Sequence, residues 1–287
     1  MIIPVQEKPS ILLLVNSHSG KGKALKVSGL LQVILSEKNI AFRIYKDTWP
    51  DQLTGFTEVW LVGGDGTVNY YINRFKDAAI PFAIFKGGTG NDLAWKLYGD
   101  ISTKQQADLI LQSSPRKIDC GVCNGRLYAN SLGIGFDGEV LRSMGAIRWL
   151  GGHFGYLVVV IKKICSFREF SFKITAGSQR FSGKYLLVII NNSSRTGGGF
   201  MVSPKASLTD GKLDLVLCQE LTLLKRLRYL PVIEKGKHTD LPFIHYSHED
   251  GVKIVCDREV FAQIDGEQIA AKIFDIKMIR EALLVKY

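Results

Sequence analysis

No apolar run in this 287-residue chain approaches the roughly 18 residues that read as a membrane span. The best, "YLVVVI" (156–161), stops at Lys162 and Lys163, so no spanning helix is expected. The start, "MIIPVQEKPS", lacks a basic stretch followed by an apolar one; no secretory signal is expected, and a cytosolic location is the default. Cysteine is scarce: five residues, an odd number, suit reduced thiols better than a disulfide framework. Cys120 and Cys123 form one CxxC without the second pair a zinc ribbon needs, and "CGVCNGRL" reads as a hairpin turning at Asn124-Gly125. The glycine loops "GGDGT" and "GGTGND" fit neither the P-loop pattern GxxxxGK[ST] nor the dinucleotide fingerprint GxGxxG, which fails at Asn69 and at Leu93, and no GxSxG elbow occurs. The five histidines show no metal-ligand spacing, and His245 and His248 in "HYSHED" read as loop. Low-complexity tracts and repeats of fixed period are also lacking.

What is present is an ordinary folded composition, 46% hydrophobic and 22% charged. The length favours two domains. Thirty-seven Lys and Arg against twenty-seven Asp and Glu leave +10, a field that draws anionic partners without choosing among nucleic acid, nucleotides and lipid headgroups.

From residue 11 short apolar runs alternate with helical patterns: "ILLLV" then 24–37, "FRIYK", "EVWLV" then 67–76, "PFAIF" then 91–98. This is the pattern of an open parallel α/β sheet, whose ligands bind at the carboxyl ends of the strands. Three loops fall there: "NSHSGKGK" (16–23), "GGDGT" (63–67) and "KGGTGND" (86–92). After about residue 116 strand-like segments and Gly turns dominate, predicting a mainly antiparallel β domain, with helical exceptions at 139–164 and 221–230.

In "LVGGDGTVNYYINRF" (61–75) a strand meets a glycine turn and then a helix face at Val68, Tyr71, Ile72 and Phe75. Such a turn aims backbone N–H groups and a helix dipole at a phosphate, and the second glycine loop could clamp a polyphosphate from the other side. Asp65, beside phosphates, implies a bridging Mg²⁺; Asp92 serves the same cluster or caps its helix. Residues 197–217, "GGGFMVSPKASLTDGKLDLVL", read as a glycine-rich bend and a Thr-Asp-Gly turn. "FDGEV" and "IDGEQ" share a DGE triplet, which leaves Glu139 and Glu267 equal candidates for a general base or for solvated surface. Residues 141–170 mix Trp149, Phe154, Tyr156 and Phe167 with Arg142, Arg148, Lys162, Lys163 and Arg168, suiting either an interfacial helix or a core helix with a basic outer face.

The order of these motifs resembles the diacylglycerol kinase catalytic-domain family, in its bacterial soluble lipid-kinase branch. "VNSHSGKGK", "GGDGTVN", "GGTGND", "NSLGIGFDGEV", "GGGFMVSPKASLTDGKLDLVL" and "IDGEQ" follow one another as the family's blocks do, over nearly the whole chain. The resemblance implies an α/β plus β protein: an N-terminal Rossmann-like parallel α/β domain, NAD-kinase-like, and a C-terminal mainly antiparallel β-sandwich, with ATP in the cleft. The boundaries expected are 1–120, with 276–287 returning to it, and 121–275.

Carried onto matching positions, the nucleotide residues are Gly63, Gly64, Asp65, Gly66, Thr67, Val68, Asn69 and Tyr70, then Gly88, Thr89, Gly90 and Asn91, with Thr48 before them. The resemblance makes Glu267, and not Glu139, the general base, with Asp65 also catalytic. A structural Mg²⁺ is implied on the Asp210 side chain and the carbonyls of Ser207 and Lys212, and acidic groups Asp65, Asp92 and Asp210 are implied in a shared metal and water network. The implied partners are a lipid substrate and an anionic membrane surface met peripherally from the cytoplasm; no nucleic acid is implied, and a homodimer is left open. The chain departs from the pattern at Ser17 (usually proline), Tyr70 (usually glutamate) and Lys86-Gly87 (usually Pro-Leu), all in the nucleotide loops. Two rival readings are a kinase of soluble NAD, which shares a GGDG turn, and a nucleotide- or lipid-binding homologue without catalysis.

Overall fold

The computed structural model describes residues 9–144 and 152–287. Residues 1–8 of the chain's start, and Arg148 and Trp149 of the basic and aromatic stretch, lie outside the described residues. The chain divides into two compact units, one running to Lys117 and taking back Leu283–Tyr287, the other Ile118–Ala282. The returning tail is thus shorter than the resemblance implies, because most of the last strand is committed to pairing in the second unit.

In the first unit β1 (Ser10–Val15), β2 (Ala41–Lys46), β3 (Glu58–Gly63) and β4 (Phe82–Lys86) pair in parallel, in the order β4-β3-β1-β2. β1, β3 and β4 are almost wholly buried and accordingly read as unbroken apolar runs rather than alternating ones. A 3-10 turn (Ser19–Gly22), α1 (Lys23–Glu37), α2 (Asp65–Arg74), α3 (Asp92–Tyr98) and α4 (Thr103–Gln112) complete it. The Ser102 and Gln105 capping box that starts α4 is legible as S-x-x-Q. Because β2 lies on one side of β1 and β3 on the other, the strand order reverses between β1 and β3, the place where open α/β sheets hold ligands.

The second unit holds β5 (Pro115–Cys123, entering from the first), β6 (Arg126–Tyr128), β7 (Ser131–Gly135), α5 (Phe136–Met144), α6 (Gly152–Ser166), β8 (Phe170–Ala176), β9 (Gln179–Asn191), β10 (Leu213–Gln219), α7 (Leu223–Glu234), β11 (Ile244–Glu249), β12 (Gly251–Ile264) and most of β13 (Glu267–Lys286). The pairs β11-β10, β10-β9, β9-β7, β7-β12 and β12-β13 are all antiparallel. Val188 and Ile190 of β9 face one apolar core with Phe172, Leu215 and Ile254; Leu187 and Ile189 face another with Val160 of α6 and Ile233 of α7. Both faces of β9 being covered explains why "KYLLVII" shows no polar alternation.

The "HYSHED" stretch is strand β11 rather than loop. Three residues apart on a strand, its histidines take opposite faces: His245 meets the Phe181 ring, and His248 Nδ1 lies 3.6 Å from Asp214. The hairpin at Asn124-Gly125 is present, with both residues at positive φ and the buried Cys120 thiol donating to the Tyr128 carbonyl.

Candidate active site

Three loops at the carboxyl ends of β1, β3 and β4 meet through their glycines. A Cβ on Gly88 would overlap the Gly64 Cα, one on Gly87 would lie 2.9 Å from the Gly63 nitrogen, and one on Gly20 would strike the Gly87 carbonyl. The Gly87 and Gly88 N–H groups both donate to the Gly63 carbonyl, at 2.9 and 3.1 Å. Glycine is therefore required here so that backbone can touch backbone.

Asn91, at a left-handed φ of 54°, closes the second loop by accepting from Gly88 N at 2.8 Å and donating to its carbonyl at 2.8 Å. Asn16 donates to Thr67 Oγ1 at 3.1 Å and Ser19 lies 3.4 Å from the same hydroxyl, tying the first loop to the helix start. α2 begins at Asp65, two residues earlier than its apolar periodicity indicates, and Gly64 supplies no side-chain cap. The N–H groups of that first turn are of the kind that can bind an anion. Lys21 and Lys23 of the first loop are exposed beside it. Lys86 donates to the Gly99 carbonyl and thereby holds the end of α3.

Asp65 has a structural contact that its sequence reading did not include. Its Oδ1 accepts the Leu93 N–H at 3.1 Å, and the N–H groups of Asn91 and Asp92 also stabilise its charge. The carboxylate thus caps α3 from a neighbouring loop. Burial nevertheless outweighs these donors and holds its pKa above the usual carboxylate range. Asp92 is buried beneath the same turn, and Thr67, Val68 and Asn69 are buried as well, leaving the backbone of Gly64, Gly66 and Gly90 and the exposed Thr89 as the face a nucleotide could meet.

Tyr70 is half exposed, its ring edge-on to Trp49 at 5.2 Å and its hydroxyl accepting from Arg74 at 2.7 Å. Arg74 also reaches Asp51 at 2.9 Å, so the loop carrying Thr48 is bound to α2 through Tyr70 and Arg74. Asp47, at a left-handed φ of 62°, accepts from both the hydroxyl and the N–H of Ser17, which hold its pKa low. Asp47 escaped sequence reading because only the parallel pairing of β1 with β2 brings it to the first loop.

In the second unit Glu267 opens β13 after a two-residue turn, Asp265 and Gly266, both at positive φ. Asp265 is buried and accepts the N–H groups of Ala129, Asn130 and Ser131 at 2.8, 3.0 and 2.8 Å. Gly266 N donates to Gln263, whose amide donates to Ser131 Oγ, 3.1 Å from Thr196 Oγ1. The hairpin is pinned and Glu267 is exposed at its tip. Glu139 differs: it is paired with Lys163 at 3.0 Å and sits 3.7 Å from Arg142.

Asp210 is exposed, accepting from Lys212 N at 3.0 Å in the turn that also holds Ser207, while Gly211 N donates to buried Asp119 at 2.7 Å. One carboxylate plus main-chain carbonyls is a hard-oxygen donor set of the kind Mg²⁺ accepts with waters. Asp65 and Asp92 belong to the first unit and Asp210 to the second. Among the described residues no group of three or more His, Cys, Asp and Glu side chains forms a metal cluster.

The second unit also contains a largely apolar chamber, partly open to solvent, walled by α6, α7 and the outward face of β9. Its polar lining is Asp137, Thr196, Arg226 and the Tyr229 ring. Burial pushes the Asp137 carboxyl up to about 6. Asp137 was passed over in the sequence because its surroundings are assembled from distant segments.

The model of the YegS C-terminal NAD kinase beta sandwich-like domain matches residues 130–286, and that of the diacylglycerol kinase catalytic domain matches residues 10–123. The chain belongs to the diacylglycerol kinase catalytic-domain family. This is a lipid-kinase family. Similar members include the diacylglycerol kinase of Mycobacterium tuberculosis (strain ATCC 25618 / H37Rv), 28% identical over 240 residues, spanning 80% of this chain and 77% of that protein. That of Bacillus subtilis (strain 168) is 26% identical over 221 residues, 75% of this chain and 72% of the relative. A crystal structure of a diacylglycerol kinase from Bacillus anthracis str. Sterne shares the fold at a TM-score of 0.71 and 20% identity, covering 98% of this chain and 97% of that one. Another solved chain from that organism superposes at 0.79 with 21% identity over 100% and 98%.

Proposed function

We propose that this protein transfers the γ-phosphoryl group of ATP to a hydroxyl of a lipid, a diacylglycerol or a related molecule. The observation that carries the lipid half is the apolar chamber of the second unit, whose mostly hydrocarbon lining with few polar groups suits an acyl chain and not a soluble dinucleotide. Its Thr196 end is joined through Ser131 and Gln263 to the hairpin that carries Glu267. In this reading the substrate hydroxyl lies toward Thr196 and the chain toward α7.

Phosphoryl transfer asks mainly for positioning and charge neutralisation. The first turn of α2, Thr67 and the glycine contact between the two loops hold the phosphates; Tyr70 and the loop with Thr48 flank the nucleotide. Mg²⁺, when bound near Asp65, would offset charge on the phosphate oxygens, and a structural Mg²⁺ would use Asp210 with the carbonyls of Ser207 and Lys212. Glu267 accepts the hydroxyl proton as that oxygen bonds the γ-phosphorus, and the bond to the β-bridging oxygen breaks with its electron pair leaving on ADP.

The test is incubation with ATP labelled at the γ-position, a total lipid extract and NAD together. Labelled lipid is expected. Labelled NADP would replace the lipid reading, and no transfer to either would leave a binding protein without catalysis.

A further inference from the structure

The outward face of α7 offers apolar surface that no described residue of its own unit covers. At 3.6 residues per turn, Arg226, Tyr229, Leu230 and Ile233 share one arc of the helix, and all four line the chamber. Leu223, Leu227, Pro231 and Leu224 occupy the adjoining arc, with Leu224 pointing most directly away from the chamber, where a globular helix ordinarily turns charge to water. Leu224 is 81% exposed, more than any other large apolar side chain among the described residues, with Leu223 at 44% and Leu227 at 40%. Arg228 and Lys225 border this leucine arc on its far side, also exposed, and no acidic residue occurs in α7 before Glu234.

The helix is fixed in this attitude. Arg226 Nε donates to the Leu221 carbonyl at 2.8 Å, and its Nη1 reaches the carbonyls of Ile164 and Phe167 at 3.0 and 2.9 Å, at the end of α6. Its Nη2 pairs with Glu169, so α7 is stapled to the end of α6 and cannot roll its leucines inward without breaking a buried ion pair. On α6, Val158, Ile161 and Lys162 are exposed as well.

We infer that α7 is the surface by which this protein docks on an anionic bilayer, lying in the interface with Leu223, Leu224 and Leu227 in the acyl layer. Lys225 and Arg228 meet the phosphate headgroups, and a lipid chain passes from the bilayer into the chamber beneath the helix. Charge complementarity selects the occupant. A two-fold contact between copies through this face would set Lys225 and Arg228 near the same cations of the other copy, whereas lipid phosphates neutralise them. Docking stands on exposure and charge; only the passage of substrate rests on the lipid-kinase reading.

The experiment sediments the full-length protein with phosphatidylglycerol–phosphatidylcholine vesicles and with phosphatidylcholine vesicles alone. Leu224→Gln/Leu227→Gln should lower partition to the mixed vesicles roughly tenfold or more at unchanged thermal stability. Lys225→Gln/Arg228→Gln should lower it to the level that high salt imposes on the wild type. Unchanged binding of the leucine variant overturns the inference, as does a wild-type dimer that this variant converts to monomer. Turnover of a short-chain diacylglycerol dispersed as monomers should be equal in the wild type and the leucine variant, while turnover of vesicle-embedded substrate falls with binding. Failure to turn over either substrate, with vesicle binding intact, strikes the kinase reading alone and leaves docking supported.

Discussion

The Asp65 carboxylate accepts the Leu93 N–H at 3.1 Å, so the aspartate at the head of one helix closes the start of the next. A carboxylate in that position neutralises the positive end of α3 and fixes the second glycine loop against the first. The Gly-Gly-Asp-Gly turn thereby holds its partner loop in place.

This arrangement separates two roles of Asp65. Asn at 65 keeps an acceptor for Leu93 and removes the charge; Ala removes both. Asp65→Asn is expected to fold normally, lose activity and change its Mg²⁺ titration, whereas Asp65→Ala should also lose about 1–2 kcal/mol of stability, the usual cost of a lost cap. Wild-type turnover by the Asn variant would reduce the residue to a cap.

Glu267 and Asp265 share a hairpin and should fail differently. Glu267→Gln is expected to lose about 10²–10⁴ in kcat with its melting temperature unchanged. Asp265→Ala strands three backbone N–H groups at about 1–3 kcal/mol each, so both stability and turnover should drop, and urea titration beside a kinase assay distinguishes the two.

Asp137 sets a pH dependence. Its pKa is raised from an ordinary 3.8 to about 6, so the folded state favours the protonated form. Stability contributed at this site is present below the unfolded value and is lost as pH rises toward and past 6, by up to about 3 kcal/mol. Relative to Asp137→Asn, the wild type should be progressively less stable from pH 4 to 6 and level off above. A flat difference in unfolding free energy across that range would rule the burial effect out.

The returning tail is held by Lys286, whose ammonium lies 2.8 Å from Glu58 with both side chains 8% exposed. Trp60 Nε1 donates to the other Glu58 oxygen at 3.1 Å, and Tyr98 donates to the Lys286 carbonyl at 2.8 Å. Lys286→Met leaves a buried carboxylate unpaired and should cost about 3–5 kcal/mol. Adding Glu58→Gln, which keeps the acceptor for Trp60, should recover most of that loss in a thermal melt.

The legible part of this protein is the part written in local pattern. Apolar runs bounded by glycine marked β1, β3 and β4 because strands buried on both faces need no alternation, and Asn-Gly and Asp-Gly marked hairpins because both central residues must take positive φ. The same local rules misplaced the start of α2, whose first turn is polar and invisible to apolar periodicity, and read β11 as loop because its histidines and serine carry little strand signal. Glu139 and Glu267 share the same DGE triplet; one is paired with Lys163 and the other stands at a pinned hairpin tip.

By itself, the order of glycine, aspartate and DGE blocks determined the family and the strand, turn and helix skeleton, since each block encodes a local backbone requirement. Tertiary structure alone decided that Gly64 and Gly88 touch, that Asp65 serves α3, that Asp137 is buried into a raised pKa, and that α7 turns leucines outward over an apolar chamber. Those properties depend on what segments far apart in the chain place beside one another, and burial and desolvation exist only once that packing is made.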